Sequence, residues 1–234
     1  MTPHKYLVWC AVISCCTVAA RAQGTFQNLG FESATLVPIS GNSSSPVQFA
    51  PAFPGWTGSV GGVQLSGALY NNFFLDSSGI GIIDAGRPFS ALVIQGTYTA
   101  VLQAGFAPGT FTPADTTLSQ TGLVPSAAQS LLFRADLDAS SAAFVVTLAG
   151  QALSLFPLGG GNNYTIYGAD IRPWAGQTAE LDFTVVAQRP HMDNYTVILD
   201  SIQFSGTTIP EPSVLRLSAF VAMLLCWRFC HKRR

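Results

Sequence analysis

The 234 residues carry 11 Lys and Arg against 12 Asp and Glu, and 48% are hydrophobic; a chain so apolar and so weakly charged is not a disordered one. Seven of the cations (Lys5, Arg21, Arg216, Arg228, Lys232, Arg233, Arg234) lie in the two terminal segments, leaving four arginines against eleven carboxylates in the middle, a formal charge of −7 without one lysine. That middle argues against nucleic acid and other polyanions as partners, and suits neutral sugars, divalent cations or a solvated surface equally.

In chain order, Lys5 precedes the apolar run Tyr6 to Ala20, and Ala20-Arg21-Ala22 stands before Gln23. A cation, a short apolar run and small residues at an A-x-A site predict a secretory signal peptide over 1–22, cut by signal peptidase. The run Val12-Ile13-Ser14-Cys15 also reads as a lipobox, which would place a lipid on Cys15. Cys10, Cys15 and Cys16 fall in this segment and Cys226 and Cys230 near the C-terminus, so residues 23–208 hold no cysteine. That middle part, long enough for one core, has no disulfide to staple it; packing must hold it, with a bound metal as the other candidate staple.

Residues 23–208 alternate in the manner of strands. Period-two patterns run through Leu131-Phe133-Ala135-Leu137, Phe144-Val146-Leu148, Leu181-Phe183-Val185 and Val197-Leu199. Turn signals separate them at Asp138 to Ser141, Gly159 to Asn163, Pro173 to Gly176 and Pro190 to Asn194. This predicts an all-β domain, an antiparallel β-sandwich with one face of each strand inward. Residues 40–62 and 104–115, rich in Pro and Gly, read as long loops, and no amphipathic helix is evident.

Asn28-Leu29-Gly30-Phe31-Glu32-Ser33, followed by Phe53-Pro54-Gly55-Trp56, resembles the opening of carbohydrate-binding-module-like jelly rolls of the galactose-binding-like superfamily. Later pieces agree: Ser119-Gln120-Thr121, Val146 to Gln151, Ala175 to Phe183 and the closing Leu199-Asp200-Ser201-Ile202. The resemblance implies a jelly roll, and a structural Ca2+ between the first and last strands held by Glu32 and Asp200. Without the metal, the same two residues read as capping or turn-bonding carboxylates.

Sugar recognition needs an exposed ring beside directed hydrogen-bonding groups. Tyr70, Asn71, Asn72 and Phe73 offer both in one loop, and Tyr70, Asn72 and Phe73 are the candidate ligand-binding residues; Tyr164, Tyr167 and Tyr195 are further aromatic candidates, while Trp56 and Trp174 read as core plugs. Catalytic machinery is sparse: His191 is the one histidine of residues 23–208, no nucleophile elbow or phosphate-binding glycine loop occurs, and the Asp136 and Asp138 pair reads as a turn-former before it reads as a glycosidase pair. The expectation is a protein that is not an enzyme.

The last twenty-six residues, 209–234, begin with Ile209-Pro210-Glu211-Pro212-Ser213, continue through the apolar run Val214 to Trp227 and end in Arg228, Lys232, Arg233 and Arg234. Residues 213–230 as a helix would span roughly 27 Å, enough for a thin bilayer, with the cations as a cytoplasmic stop. The triplet, apolar helix and basic end together resemble the PEP-CTERM sorting signal. The resemblance implies recognition of Pro210, Glu211 and Pro212 by an exosortase-type membrane peptidase and delivery towards the cell envelope and its exopolysaccharide. An ordinary anchor that is never cut has the same pattern. Either way the sandwich is expected outside the cytoplasm, in a structural or matrix role, the alternative being a module that recognises an extracellular polysaccharide.

Overall fold

The computed structural model describes residues 24–39, 46–73, 76–86, 89–137, 144–187 and 195–209. The signal segment, the triplet at 210–212, the apolar run 213–230 and the turns around Asp138 and His191 lie outside them. No helix among the described residues is long and apolar enough to cross a membrane.

The described chain is a two-sheet sandwich. Its elements are β1 (Pro46–Gln48), the one-turn helix α1 (Phe49–Ala52), β2 (Thr57–Val60), β3 (Val63–Gln64), β4 (Gly67–Tyr70), β5 (Gly79–Asp84), β6 (Tyr98–Phe106), β7 (Pro113–Ala114) and β8 (Thr116–Leu123). They continue with β9 (Ser130–Leu137), β10 (Phe144–Leu148), β11 (Gln151–Ala152), β12 (Phe156–Gly160), β13 (Thr165–Asp170), β14 (Thr178–Val185) and β15 (Tyr195–Ser205). The larger sheet runs β1-β4-β5-β6-β15-β9-β13-β12, with β7 on β6; the smaller runs β11-β10-β14-β8-β2-β3.

The four alternating stretches lie in β9, β10, β14 and β15, and β10 and β14 keep the inward and outward alternation cleanly. Three expectations need correction. The sheet is not wholly antiparallel, because β4 and β5 pair in parallel through Leu69 with Gly81 and Tyr70 with Ile82. Residues 40–62 and 104–115 are not simply loops: β1, α1 and β2 fall in the first, and the end of β6 and all of β7 in the second. Gly159 and Gly160 belong to edge strand β12, whose ladder shifts register between Pro157 and Gly159, a bulge that glycine accommodates.

Both sheets bury their inner faces on one core threaded by aromatic rings. Phe49 stacks on Phe53 at 4.9 Å, Phe53 meets Phe31 edge-on at 5.8 Å, Phe31 lies 5.9 Å from Trp56, and Trp56 leads to Phe183, Phe133 and Phe144. Aromatic contacts of this kind add to the area they bury. A second, smaller apolar cluster lies against the large sheet: Ile83, Val101 and Ile198 are covered by Phe73, Phe89, Leu92, Val93 and Ile94. The segment Phe89–Ile94 therefore folds over the sheet and leads into Gln95–Thr99, where the candidate site is built.

Candidate functional site

The site begins with the segment Asn28 to Glu32. Asn28 and Phe31 both take positive φ, at 49° and 59°, a region that a bulky residue enters only when its surroundings compel it. Here the Phe31 ring is fully buried, and the Trp56 indole N–H donates to the Asn28 carbonyl at 3.2 Å. The chain is thus turned so that Phe31 points inward and the neighbouring Glu32 outward. Glu32 reaches the segment before β6: its carboxylate oxygens accept from the Thr97 amide at 2.9 and 3.0 Å and from the Tyr98 amide at 3.3 Å. Gly96 makes room, since a Cβ there would stand 2.1 Å from Glu32 Oε1.

The last strand supplies the second acid. The β15 ladder with β9 shifts register between Asp200 and Gln203, Ser201 sits at φ 52°, and the freed Ile202 amide donates to the Leu29 carbonyl at 2.8 Å. This bulge ties β15 to the N-terminal segment and turns Asp200 toward Gln95–Thr99. Asp200 Oδ2 accepts from the Gln95 amide at 3.1 Å and the Thr99 hydroxyl at 2.8 Å, and Oδ1 from the Ser201 amide at 2.5 Å. Asp200 is 1% exposed. Burial pushes its carboxyl up to about 6 against the pull of those hydrogen bonds, and the Glu32 charge adds to the rise.

The structure therefore brings the two predicted acids, 168 positions apart in sequence, onto one five-residue segment. Oxygens from neighbouring side chains surround them. Ser201 Oγ donates to Gln95 Oε1 at 3.0 Å, and Arg134, whose guanidinium lies 5.0 Å above the Tyr164 ring, donates to the same Gln95 oxygen. Carboxylate, amide and hydroxyl oxygens are the ligands a hard cation such as Ca2+ takes. Here both carboxylates already accept amide or hydroxyl hydrogens and Gln95 Oε1 accepts from Arg134, so a cation would have to displace some of these bonds. Glu32 and Asp200 would hold it, and it would supply the positive charge that their mutual repulsion calls for. Among the described residues no three His, Cys, Asp or Glu side chains cluster as metal ligands, so the remaining donors would be amide, hydroxyl and main-chain oxygens. Sequence reasoning missed Gln95, Thr99 and Ser201, because two of their three bonds to Asp200 come from main-chain amides, which no residue type announces.

The Tyr70 loop lies elsewhere on the large sheet, past the end of β4. Asp84 organises it, accepting from Tyr70 Oη at 2.7 Å, Asn71 Nδ2 at 2.6 Å and the Gly86 amide at 2.7 Å. Burial raises the Asp84 carboxyl, but the hydrogen bonds from Asn71, Tyr70 and Gly86 outweigh it and hold the group below its ordinary value. The bond to Asp84, together with burial, pushes the Tyr70 phenol up to about 12. Tyr70 packs against the main core, and the Phe73 ring meets Phe89 edge-on at 4.6 Å. Asn72 Oδ1 accepts from the Phe73 amide at 2.9 Å. Tyr70 and Phe73 are thus half-buried and engaged within the protein, while Phe111, which the sequence reading passed over, is 89% exposed beside Phe106.

No family model and no curated protein matches the sequence. Among solved structures, the chain is similar to TmCBM61, determined in complex with beta-1,4-galactotriose, at 12% identity and a TM-score of 0.41, covering 78% of this chain and 97% of that one. It is also similar to the enzymatically active domain of bacteriophage CBA120 tailspike protein 4, at 16% identity and a TM-score of 0.36, covering 65% of this chain and 19% of that one. A third similarity is to the secreted serine protease VesC from Vibrio cholerae, at 10% identity and a TM-score of 0.31, covering 75% of this chain and 44% of that one.

Proposed function

We propose that this protein is exported and serves the cell envelope or extracellular matrix as a non-catalytic structural module, delivered by its C-terminal PEP-CTERM tail and clipped by Ca2+ between Glu32 and Asp200. Signal peptidase would act at its N-terminus, and the membrane and an exosortase-type peptidase at the tail. The observation that carries the reading is the convergence of Glu32 and Asp200 on Gln95–Thr99. A domain without a cysteine gains from such a clip what a disulfide would give, a tie between the beginning and end of its chain. Extracellular modules bind Ca2+ with dissociation constants of roughly 10⁻⁴–10⁻³ M, so the clip would be loaded outside a cell. Fractionation of the native organism tests the location: the mature sandwich is expected in the envelope or medium with its N-terminus near Gln23, and an intact chain in the cytosol would overturn the reading.

One observation favours glycan recognition as a second reading: the Phe111 ring offers an open face at a loop tip. In polysaccharide affinity gels this reading predicts retardation that Phe111→Ala abolishes; loss through Tyr70→Ala or Phe73→Ala instead would place the site at the Tyr70 loop. No retardation on any extracellular polysaccharide would leave the structural role alone.

A further inference from the structure

The end of the described chain does not leave the sandwich freely. After β15 closes at Ser205, the chain turns at Gly206 and runs back over the large sheet. The Gly206 carbonyl accepts from Gln129 Nε2 at 2.7 Å and the Thr207 carbonyl from Ser130 Oγ at 2.7 Å. The Thr207 amide and hydroxyl both bond to Ser205 Oγ, at 3.1 and 2.9 Å. Ile209 then drops into a niche over β13 that exists because residue 168 is glycine. A Cβ on Gly168 would stand 2.3 Å from Ile209 Cδ1, 2.7 Å from Leu158 Cδ1 and 3.1 Å from Leu132 Cδ2. Gly168 has no positive φ, so its backbone does not require glycine; the space above it does.

Ile209 directly precedes Pro210-Glu211-Pro212. The polar ties and the apolar niche therefore fix the root of the tail to strands β9, β13 and β12 of the large sheet, with no linker between sandwich and triplet. A protease needs several residues of free, extended backbone on both sides of the bond it cuts, and the availability of that backbone is set by its burial and hydrogen bonding.

We propose that Ile209, seated over Gly168, is a latch that guards the tail root: it sets the N-terminal limit of processing, so that the cut falls beyond Ile209 and the released sandwich keeps residues 205–209. The step is hydrolysis of one peptide bond by water, leaving a carboxylate on the sandwich and an amine on the tail. The relevance to tail removal rests on the sorting reading above, but the latch can be tested apart from it.

The test is limited proteolysis of the full chain in detergent with an elastase-type enzyme, which cuts after small residues and so has Ser205, Gly206, Thr207 and Thr208 as targets, followed by mass determination of the sandwich fragment. In the native chain the first fragment is expected to end beyond Ile209. In Gly168→Val, where the new side chain fills the niche and also presses on Leu158 and Leu132, and in Ile209→Ser, which leaves the sheet untouched, cuts between 205 and 209 are expected about tenfold faster, with the melting temperature of the sandwich little changed in Ile209→Ser. Native cuts within 206–209 at the rate of cuts further on, or no change in either variant, would overturn the latch. Fractionation separates this from the export reading. A cytosolic intact chain sinks export and leaves the latch to the protease result, whereas an exported sandwich ending before Ile209 sinks the latch alone.

Discussion

Asp84 and Asp200 make an instructive pair. Both sit on the large sheet, and each accepts three short hydrogen bonds from nearby chain, Asp84 from Tyr70, Asn71 and Gly86, Asp200 from Gln95, Thr99 and Ser201. Yet Asp84 is held below its ordinary value and Asp200 is raised to about 6. The number of donors does not separate them. Burial does: Asp84 keeps contact with solvent, whereas Asp200 is almost wholly enclosed and faces the Glu32 charge. A carboxylate can be well hydrogen-bonded and still be poorly placed as an anion when water is excluded and no cation answers it.

Removing Asp200 is expected to have the largest effect. Asp200→Ala strips the acceptor from the Gln95 amide, the Thr99 hydroxyl and the Ser201 amide, and should cost roughly 2–4 kcal/mol in denaturant unfolding. Asp200→Asn keeps one acceptor and removes the enclosed charge, so in chelator at pH 8 it should cost far less. A cost for Asp200→Asn equal to that of Asp200→Ala would show that burial is not what sets this group apart from Asp84.

The response to pH comes next. A carboxyl with a raised folded value binds more protons folded than unfolded, so its stabilisation is complete below about pH 4 and is lost as pH rises through about 6. For Asp84 the sign is opposite: its contribution is present above the unfolded value and lost as pH falls through the lowered folded one. In chelator, lowering the pH from 8 to 5 should therefore stabilise the sandwich by on the order of 1–3 kcal/mol through Asp200, and Asp200→Asn should flatten that slope. A native slope in the reverse direction across this window would contradict the assignment.

Calcium sharpens the contrast further. Millimolar Ca2+ added to chelated protein at pH 7.5 should raise the melting temperature by several degrees, about 1–2 kcal/mol by mass action, and Asp200→Asn or Glu32→Gln should abolish the response while Asp84→Asn keeps it. An unchanged melting curve in the native protein would remove the metal from the clip and leave the hydrogen bonds to hold it. The smallest effect expected is at Tyr70. Tyr70→Phe should cost about 1 kcal/mol, and an ultraviolet titration should find one phenol that resists ionisation until about pH 12.

The two acids were legible in the sequence only through a resemblance, because Glu32 and Asp200 carry no sign of each other in spacing or pattern. What joins them is a bulge, two residues at positive φ and the main-chain amides of Gln95 and Thr97, none of which has a fixed residue signature. Strands with one wet face, such as β10 and β14, were readable from alternation. Strand β6 was not, since the run from Thr99 to Ala104 is buried throughout: the segment Phe89–Ile94 covers its other side, and a strand enclosed on both faces loses its period. The same cover misleads at Phe73, an aromatic residue in a loop that looks available until its Phe89 neighbour is known. Pro and Gly masked β1, α1 and β2, whose residues Phe49, Phe53 and Trp56 belong to the core.

Strand β15 lies between β6 and β9 at the middle of the large sheet, although it is the last strand of the described chain. Until Tyr195–Ser205 has been synthesised and moved into place, the two halves of that sheet have no seam along which to join, and the inner faces of both stay uncovered. Native assembly must then wait until Tyr195–Ser205 is available, long after β6 and β9 have been made, so early pairing cannot complete the fold. The order in which the strands are written into the gene thereby acts as a timer, holding back the finished shape until the closing strand has arrived.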